Sequence, residues 1–119
     1  MADGKPVYPN ARYVFGAREF DYWNKGENIP DARKATRDLF MQAAAPFGEK
    51  ATMLKEDGEV VSGIRAVPVF GHSPGMLAFH IESEGKAIYF WGDCAHHQVA
   101  SLAGPAWHCV FATGKEQAA

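Results

Sequence analysis

Cysteine is scarce in this chain. Two occur among 119 residues, Cys94 and Cys109. The two could pair with each other, but the plainer reading is reduced thiols of a cytoplasmic protein. No C-x-x-C or H-x-x-x-H pair occurs either. Cys94, His96, His97, His108 and Cys109 crowd toward the end of the sequence without the spacing of a self-contained zinc site, so buried thiols and loop histidines are the plainer reading. An excess of one charge is also missing. The net charge is −2 with both signs interspersed, so nothing marks a nucleic-acid stripe or a polybasic membrane surface. Apolar runs fall far short of the roughly 20 residues of a membrane span. Met1-Ala2-Asp3-Gly4-Lys5-Pro6 lacks the apolar stretch of a secretory signal. Internal repeats and low-complexity tracts are absent too.

What is present is the composition of a folded domain, or of part of one: 47% hydrophobic and 22% charged residues. Residues 1–10 read as an extended leading segment and Arg12 to Phe15 as a short strand. Ala17 to Lys25 is predicted as a helix with an aromatic face of Phe20, Tyr22 and Trp23, stopped by Gly26. After a turn at Asn28 to Asp31, with Asp31 as its N-cap, a second helix is expected over Ala32 to Ala45. Leu39, Phe40, Ala43 and Ala44 would form its buried face, and Pro46 and Gly48 would end it.

From Ala51 the hydrophobic period changes to two. Thr52 to Leu54 and Glu59 to Val61 flank Glu56-Asp57-Gly58, a hairpin signal. Ile64 to Phe70 is a further strand. Met76 to Glu82 is another, with Leu77, Phe79 and Ile81 on one side and His80 on the other, at the surface. Ser83-Glu84-Gly85 turns the chain, and Lys86 to Trp91 is expected to return as a buried strand. Beyond Asp93 a short helix around His97 to Leu102, a strand over Trp107 to Phe111 and a helical first turn from Lys115 are expected. Trp23, Trp91 and Trp107 read as core residues. Strand, two helices, then antiparallel strands is an α/β layered order without regular βαβ alternation.

Two motifs carry chemistry. Gly71-His72-Ser73-Pro74-Gly75 follows the apolar run Val67 to Phe70, and Gly92-Asp93 follows Ala87 to Trp91. Each sets a metal-ligating side chain at a strand end, where turns can share a cleft. Taken singly, His72 is a histidine in a glycine-rich turn and Asp93 a strand-end cap. Their joint occurrence favours a metal. The first motif also fits G-x-S-x-G, with Asp93 and then His96, His97 or His108 following in the order of a serine hydrolase triad. That reading fails locally. The elbow needs a helix after the serine, and its oxyanion donor would be the N–H of Pro74, which has none.

These residues resemble the metallo-β-lactamase-fold hydrolases. The order strand, Gly71 to Gly75, hairpin, apolar strand, Gly92-Asp93 is similar to the second half of that fold. Tyr8 to Phe15 with Glu19 to Trp23, and Gly92-Asp93-Cys94-Ala95-His96-His97, look like the members near the methyl parathion hydrolases and lactonases. The resemblance implies part of a four-layer αββα sandwich with a mixed, mostly antiparallel sheet, residues 1–119 forming its middle-to-C-terminal part. It implies that His72 is a metal ligand and that Asp93 bridges two metals. The centre would be a dinuclear one, usually of zinc, with other divalent metals possible. Metal-activated water would attack an ester, lactone, amide or phosphoester of a small-molecule substrate. The family's H-x-H-x-D-H cluster and a last histidine ligand are missing from this sequence, which makes the expected chain a fragment, weak in metal binding and hydrolysis. His96 or His97 would orient a substrate or stand behind a ligand. The expectation from another class is a non-catalytic binding or assembly module, which pairs with itself or with a complementary half-domain through an exposed sheet face.

Overall fold

The computed structural model describes residues 4–94. Their elements run β1 (Val14–Gly16), α1 (Ala17–Lys25), α2 (Lys34–Ala43), β2 (Thr52–Leu54), β3 (Gly58–Val61), β4 (Ile64–Pro68), β5 (Leu77–Ser83) and β6 (Lys86–Phe90). Single 3-10 turns lie at Asp31–Arg33, Ala45–Phe47 and Gly92–Cys94. The strands form two sheets. β1 and β2 pair in parallel, Val14 opposite Thr52 and Gly16 opposite Leu54. β3, β4, β5 and β6 form an antiparallel meander in that spatial order. The architecture is mixed α/β, mostly antiparallel, with flanking helices.

Helix α1 has the predicted bounds, and its end is built by two residues. Gly26 turns left-handed at φ 72° and donates its N–H to the Tyr22 carbonyl at 3.3 Å. Arg37 reaches across from α2 and donates to the carbonyls of Trp23 (3.1 Å) and Asn24 (3.3 Å). A cation there satisfies acceptors that a helix leaves open and sits at the negative end of its dipole. The second helix is shorter than expected. Asp31–Arg33 is a 3-10 turn, and Asp31 makes no capping bond. Its carboxylate pairs with Lys34 Nζ at 2.7 Å instead. The inward stripe of α2 also differs. Arg33, Arg37, Phe40 and Ala44 are half-buried, whereas Leu39 is 64% exposed and Ala43 is exposed. A polar residue with a structural task, Arg37, occupies an inward position and shifts the stripe by part of a turn.

Aromatic rings join the helices to β1. Phe20 packs on Phe15 at 5.3 Å and edge-on to Phe40 at 5.1 Å, and Tyr13 stacks on Phe47 at 4.1 Å. Such pairs are each worth about 0.5–1.5 kcal/mol beyond their burial. Phe20 and Trp23 are buried as expected.

The hairpin expected across Glu56-Asp57-Gly58 does not form. β2 joins β1, and β3 takes β4 as its partner, with Gly58 opposite Ala66 and Val61 opposite Ile64. The turn between β3 and β4 is Ser62-Gly63, with Gly63 at φ 84°. A two-residue connection closes that pair with less loop entropy, so Glu56 to Gly58 becomes the link between sheets. The turn at Glu84-Gly85 forms as expected, both residues at positive φ (51° and 74°) as a two-residue hairpin requires.

The ladders set Ile64, Ala66, Leu77, Phe79, Ile81, Ile88 and Phe90 on one sheet face, with Arg65, Val67, Ala78, His80 and Tyr89 on the other. Ala66 and Ala78 are fully buried at the centre. β6 corrects the sequence reading. Every residue of it is exposed, Ile88 at 65% and Phe90 at 62%, and Trp91 beyond it is exposed too. Among the described residues β6 is an edge with a neighbour on one side only. The elements expected over His97 to Leu102, Trp107 to Phe111 and Lys115 to Ala119 lie outside the described residues.

Candidate functional site

Sheet direction brings the two motifs together. β4 and β6 are both antiparallel to β5, so they run the same way and end at the same edge. One strand separates them, a distance of about 10 Å. That gap is within reach of two side chains turned toward each other. After β4, Val69 donates its N–H to the Met76 carbonyl at 3.0 Å and Gly71 donates to Ser73 at 3.1 Å, which folds residues 69–76 into a closed turn. Gly71 holds φ 140°, outside the range of side-chain-bearing residues. After β6, Gly92 at φ 55° starts the 3-10 turn that presents Asp93.

His72 Nε2 then lies 3.4 Å from Asp93 Oδ2. The imidazole is largely covered at 17% exposure, and the carboxylate is open at 67%. Two ligands held about 2.0–2.1 Å from one tetrahedral ion stand about 3.3 Å apart, so this pair has the span of one edge of such a coordination shell. A neutral imidazole nitrogen beside a carboxylate also suits zinc and its neighbours in chemistry. No group of three or more His, Cys, Asp or Glu side chains able to hold a metal occurs among the described residues. His72 and Asp93 therefore fit part of a metal's shell. His96, His97, His108 and Cys109 lie outside the described residues. His80 sits on the opposite sheet face beside Tyr89.

The pair opens on a cavity of about 530 Å³. Phe15, Met76, Leu77, Phe79 and Phe90 make its apolar wall, and His72, Ser73, Glu19 and Asp93 its polar end. Ser73 is buried, and the segment after its turn is the strand β5 rather than a helix. Both facts agree with the rejection of a serine elbow.

Glu19 escaped the sequence reading. It stands in the first turn of α1. Its Oε1 accepts from Trp23 Nε1 at 2.7 Å and its Oε2 accepts from the Gly75 N–H at 2.8 Å. The approach is close because Gly75 has no side chain. A Cβ there would fall on the Glu19 backbone nitrogen and within 2.7 Å of Arg18 C and Glu19 Cα. The available signal was the spacing Glu19-x-x-x-Trp23, which puts a carboxylate over an indole N–H that needs an acceptor when buried.

Solved hydrolases share this arrangement of elements. AbOPH, a hydrolase in the beta lactamase superfamily, superposes with a TM-score of 0.81 at 22% identity, over 98% of this chain and 43% of its own. The dizinc quorum-quenching lactonase AidC gives 0.81 at 20% identity, over 98% of this chain and 43% of its own. The chain carries part of the metallo-β-lactamase fold. A probable metal-dependent hydrolase from Staphylococcus aureus shares that fold at a TM-score of 0.76 and 22% identity, over 97% of this chain and 39% of its own. The chain thus spans roughly two fifths of the length of these metallo-β-lactamase-fold structures. No protein-family model matches the sequence, and no curated protein matches it.

Proposed function

We propose that this chain is part of a metal-dependent hydrolase, with His72 as a terminal ligand and Asp93 as the bridge of a dinuclear zinc centre. The carrying observation is the 3.4 Å approach of His72 Nε2 to Asp93 Oδ2 at the polar end of the cavity. Dizinc and metal-dependent hydrolases of the same fold support the reading. When bound, a divalent ion lowers the pKa of water toward ~7 and polarises the scissile bond. The chain's own residues contribute the rest. The closed turn at 69–76 fixes the imidazole, the covered position of His72 limits competition from solvent, and the apolar wall orients a small-molecule ester, lactone, amide or phosphoester. Because His72 and Asp93 leave coordination positions open, the 119 residues by themselves bind metal weakly and hydrolyse slowly.

The test is cobalt and zinc titration of the chain, followed by the His72 imidazole resonances and by turnover of a lactone, an aryl ester and a phosphotriester. Weak binding that disappears in His72→Ala and in Asp93→Ala agrees with the proposal. Metal that leaves the His72 resonances unmoved at millimolar concentration refutes the ligand assignment. Tight stoichiometric zinc with robust turnover refutes the fragment reading.

One observation favours an assembly role alongside this. Ile88 and Phe90 are exposed on the same apolar sheet face as Phe79 and Ile81. Such a face suits a complementary half-domain that brings further ligands, or a second copy of the chain. Light scattering separates the two occupants: a dimer at micromolar concentration identifies the second copy, and a monomer leaves the complementary half.

A further inference from the structure

We infer that Glu19 is a positioning residue for the turn that carries His72. Trp23, Glu19 and Gly75 form a relay from the buried face of α1 to the site. The Trp23 ring is packed at 7% exposure and cannot swing away. Its Nε1–H fixes one carboxylate oxygen of Glu19 at 2.7 Å, and the other oxygen takes the Gly75 N–H at 2.8 Å. The bonds Gly71–Ser73 and Val69–Met76 close the turn on itself. The Glu19 bond ties it to a different element, 56 positions away in sequence. Gly75 stands three residues after His72 in that turn, and Gly75, His72 and Glu19 all line the same cavity. Fixing Gly75 against α1 therefore fixes where the imidazole is presented to Asp93.

The hydrogen-bond chemistry is specific. Two N–H donors face the two oxygens of one carboxylate, so both oxygens must accept. A glutamine offers one accepting oxygen and turns its amide NH₂ toward the second donor. A phenylalanine at position 23 keeps the ring and removes one donor. The two substitutions damage the relay at different atoms, and both should be felt at Gly75.

The experiment uses the 119-residue chain, wild type against Glu19→Gln and Trp23→Phe. Phe40→Leu serves as a control that loosens the helix packing without touching the relay. Amide exchange of Gly75 reads the tie directly. Loss of a charge-assisted bond speeds it by about ten- to hundredfold in Glu19→Gln and by less in Trp23→Phe, after correction for each variant's global stability. The Gly71 and Val69 amides keep their rates. The second readout rests on the ligand reading of His72: the cobalt midpoint of its imidazole shift rises by about ten- to hundredfold in Glu19→Gln, and stays at the wild-type value in Phe40→Leu. Unchanged Gly75 exchange in Glu19→Gln overturns the inference, as does a control that matches it. If the wild-type imidazole ignores cobalt while Gly75 loses protection in Glu19→Gln, the ligand reading fails and the relay stands. If Glu19→Gln does not fold, Trp23→Phe decides by the same two readouts.

Discussion

Gly75→Ala is the sharpest probe of how this site is held. The backbone at Gly75 is not in the left-handed region, so the substitution brings no dihedral strain and acts on the folded state through steric overlap. The added methyl would overlap the Glu19 nitrogen and lie 2.7 Å from two further backbone atoms, where ordinary contact begins near 3.4 Å. Backbone cannot rotate aside as a side-chain tip does, so α1 must retreat by on the order of 1 Å. That stretches the Gly75–Glu19 bond from 2.8 Å toward about 3.8 Å, past the limit of a hydrogen bond. Losing a bond to a carboxylate removes about 1.5–3 kcal/mol, and overpacking adds about 1–3 kcal/mol. The stiffer unfolded chain returns about 0.4–1 kcal/mol. The net loss is about 3 kcal/mol, which lowers the urea midpoint by roughly 2 M at a typical slope for small proteins. Gly85→Ala is the reference. Gly85 sits at φ +74° with nothing within 4 Å of its would-be methyl, so only left-handed strain of about 1–2 kcal/mol applies. A Gly75→Ala midpoint that falls no further than that of Gly85→Ala refutes the steric account of the α1–turn junction.

Arg37→Ala removes the partner of two carbonyls at the end of α1, and a loss of about 1–2 kcal/mol is expected in urea melts, with the far-UV helix signal reduced. Ile88→Lys and Phe90→Lys, at sites more than half exposed, should shift the stability of the chain by no more than about 0.5 kcal/mol; a larger drop would show that β6 is covered. Burial holds the Tyr22 phenol above its usual value of 10.0, with the nearby Glu19 charge adding to the effect and Arg33 opposing it. A raised folded value means that Tyr22 supports the fold fully below pH 10 and that this support is lost as pH climbs through the folded value. Ultraviolet titration should place its ionisation above the usual 10.0, and Glu19→Gln should bring it down; a Tyr22 ionisation at or below 10.0 contradicts the burial.

The parts of this molecule that were legible in sequence are those coded by neighbours along the chain. Helix α1 ends where Gly26 supplies a left-handed residue, and the β5–β6 hairpin turns where Glu84-Gly85 supplies two. His72 and Asp93 were legible because each follows an apolar run and sits among glycines, which announces a strand end carrying a polar side chain. What local pattern cannot encode is which strand edges meet. Asp57-Gly58 has the chemistry of a hairpin turn, yet β2 found a better partner in β1, far upstream. The apolar alternation of β6 states that its side chains suit a covered surface and is silent on whether the cover belongs to the same stretch of chain. Glu19 was missed for a third reason. Its task depends on the Gly75 amide, whose position exists only after the sheet has formed.

The parallel pairing of β1 with β2 bears on the order of assembly. The β3 to β6 meander joins strands adjacent in sequence, through two-residue turns at 62–63 and 84–85 and the eight-residue segment 69–76, so its pairing can form early. β1 meets β2 only after both helices have been laid down between them, and the Glu19–Gly75 bond needs the two regions already docked. Contacts that span so much chain are paid for late in folding, because their loop entropy comes due before their energy does. The histidine turn is therefore expected to gain its final shape in the last step, when the helical layer closes on a sheet that already exists.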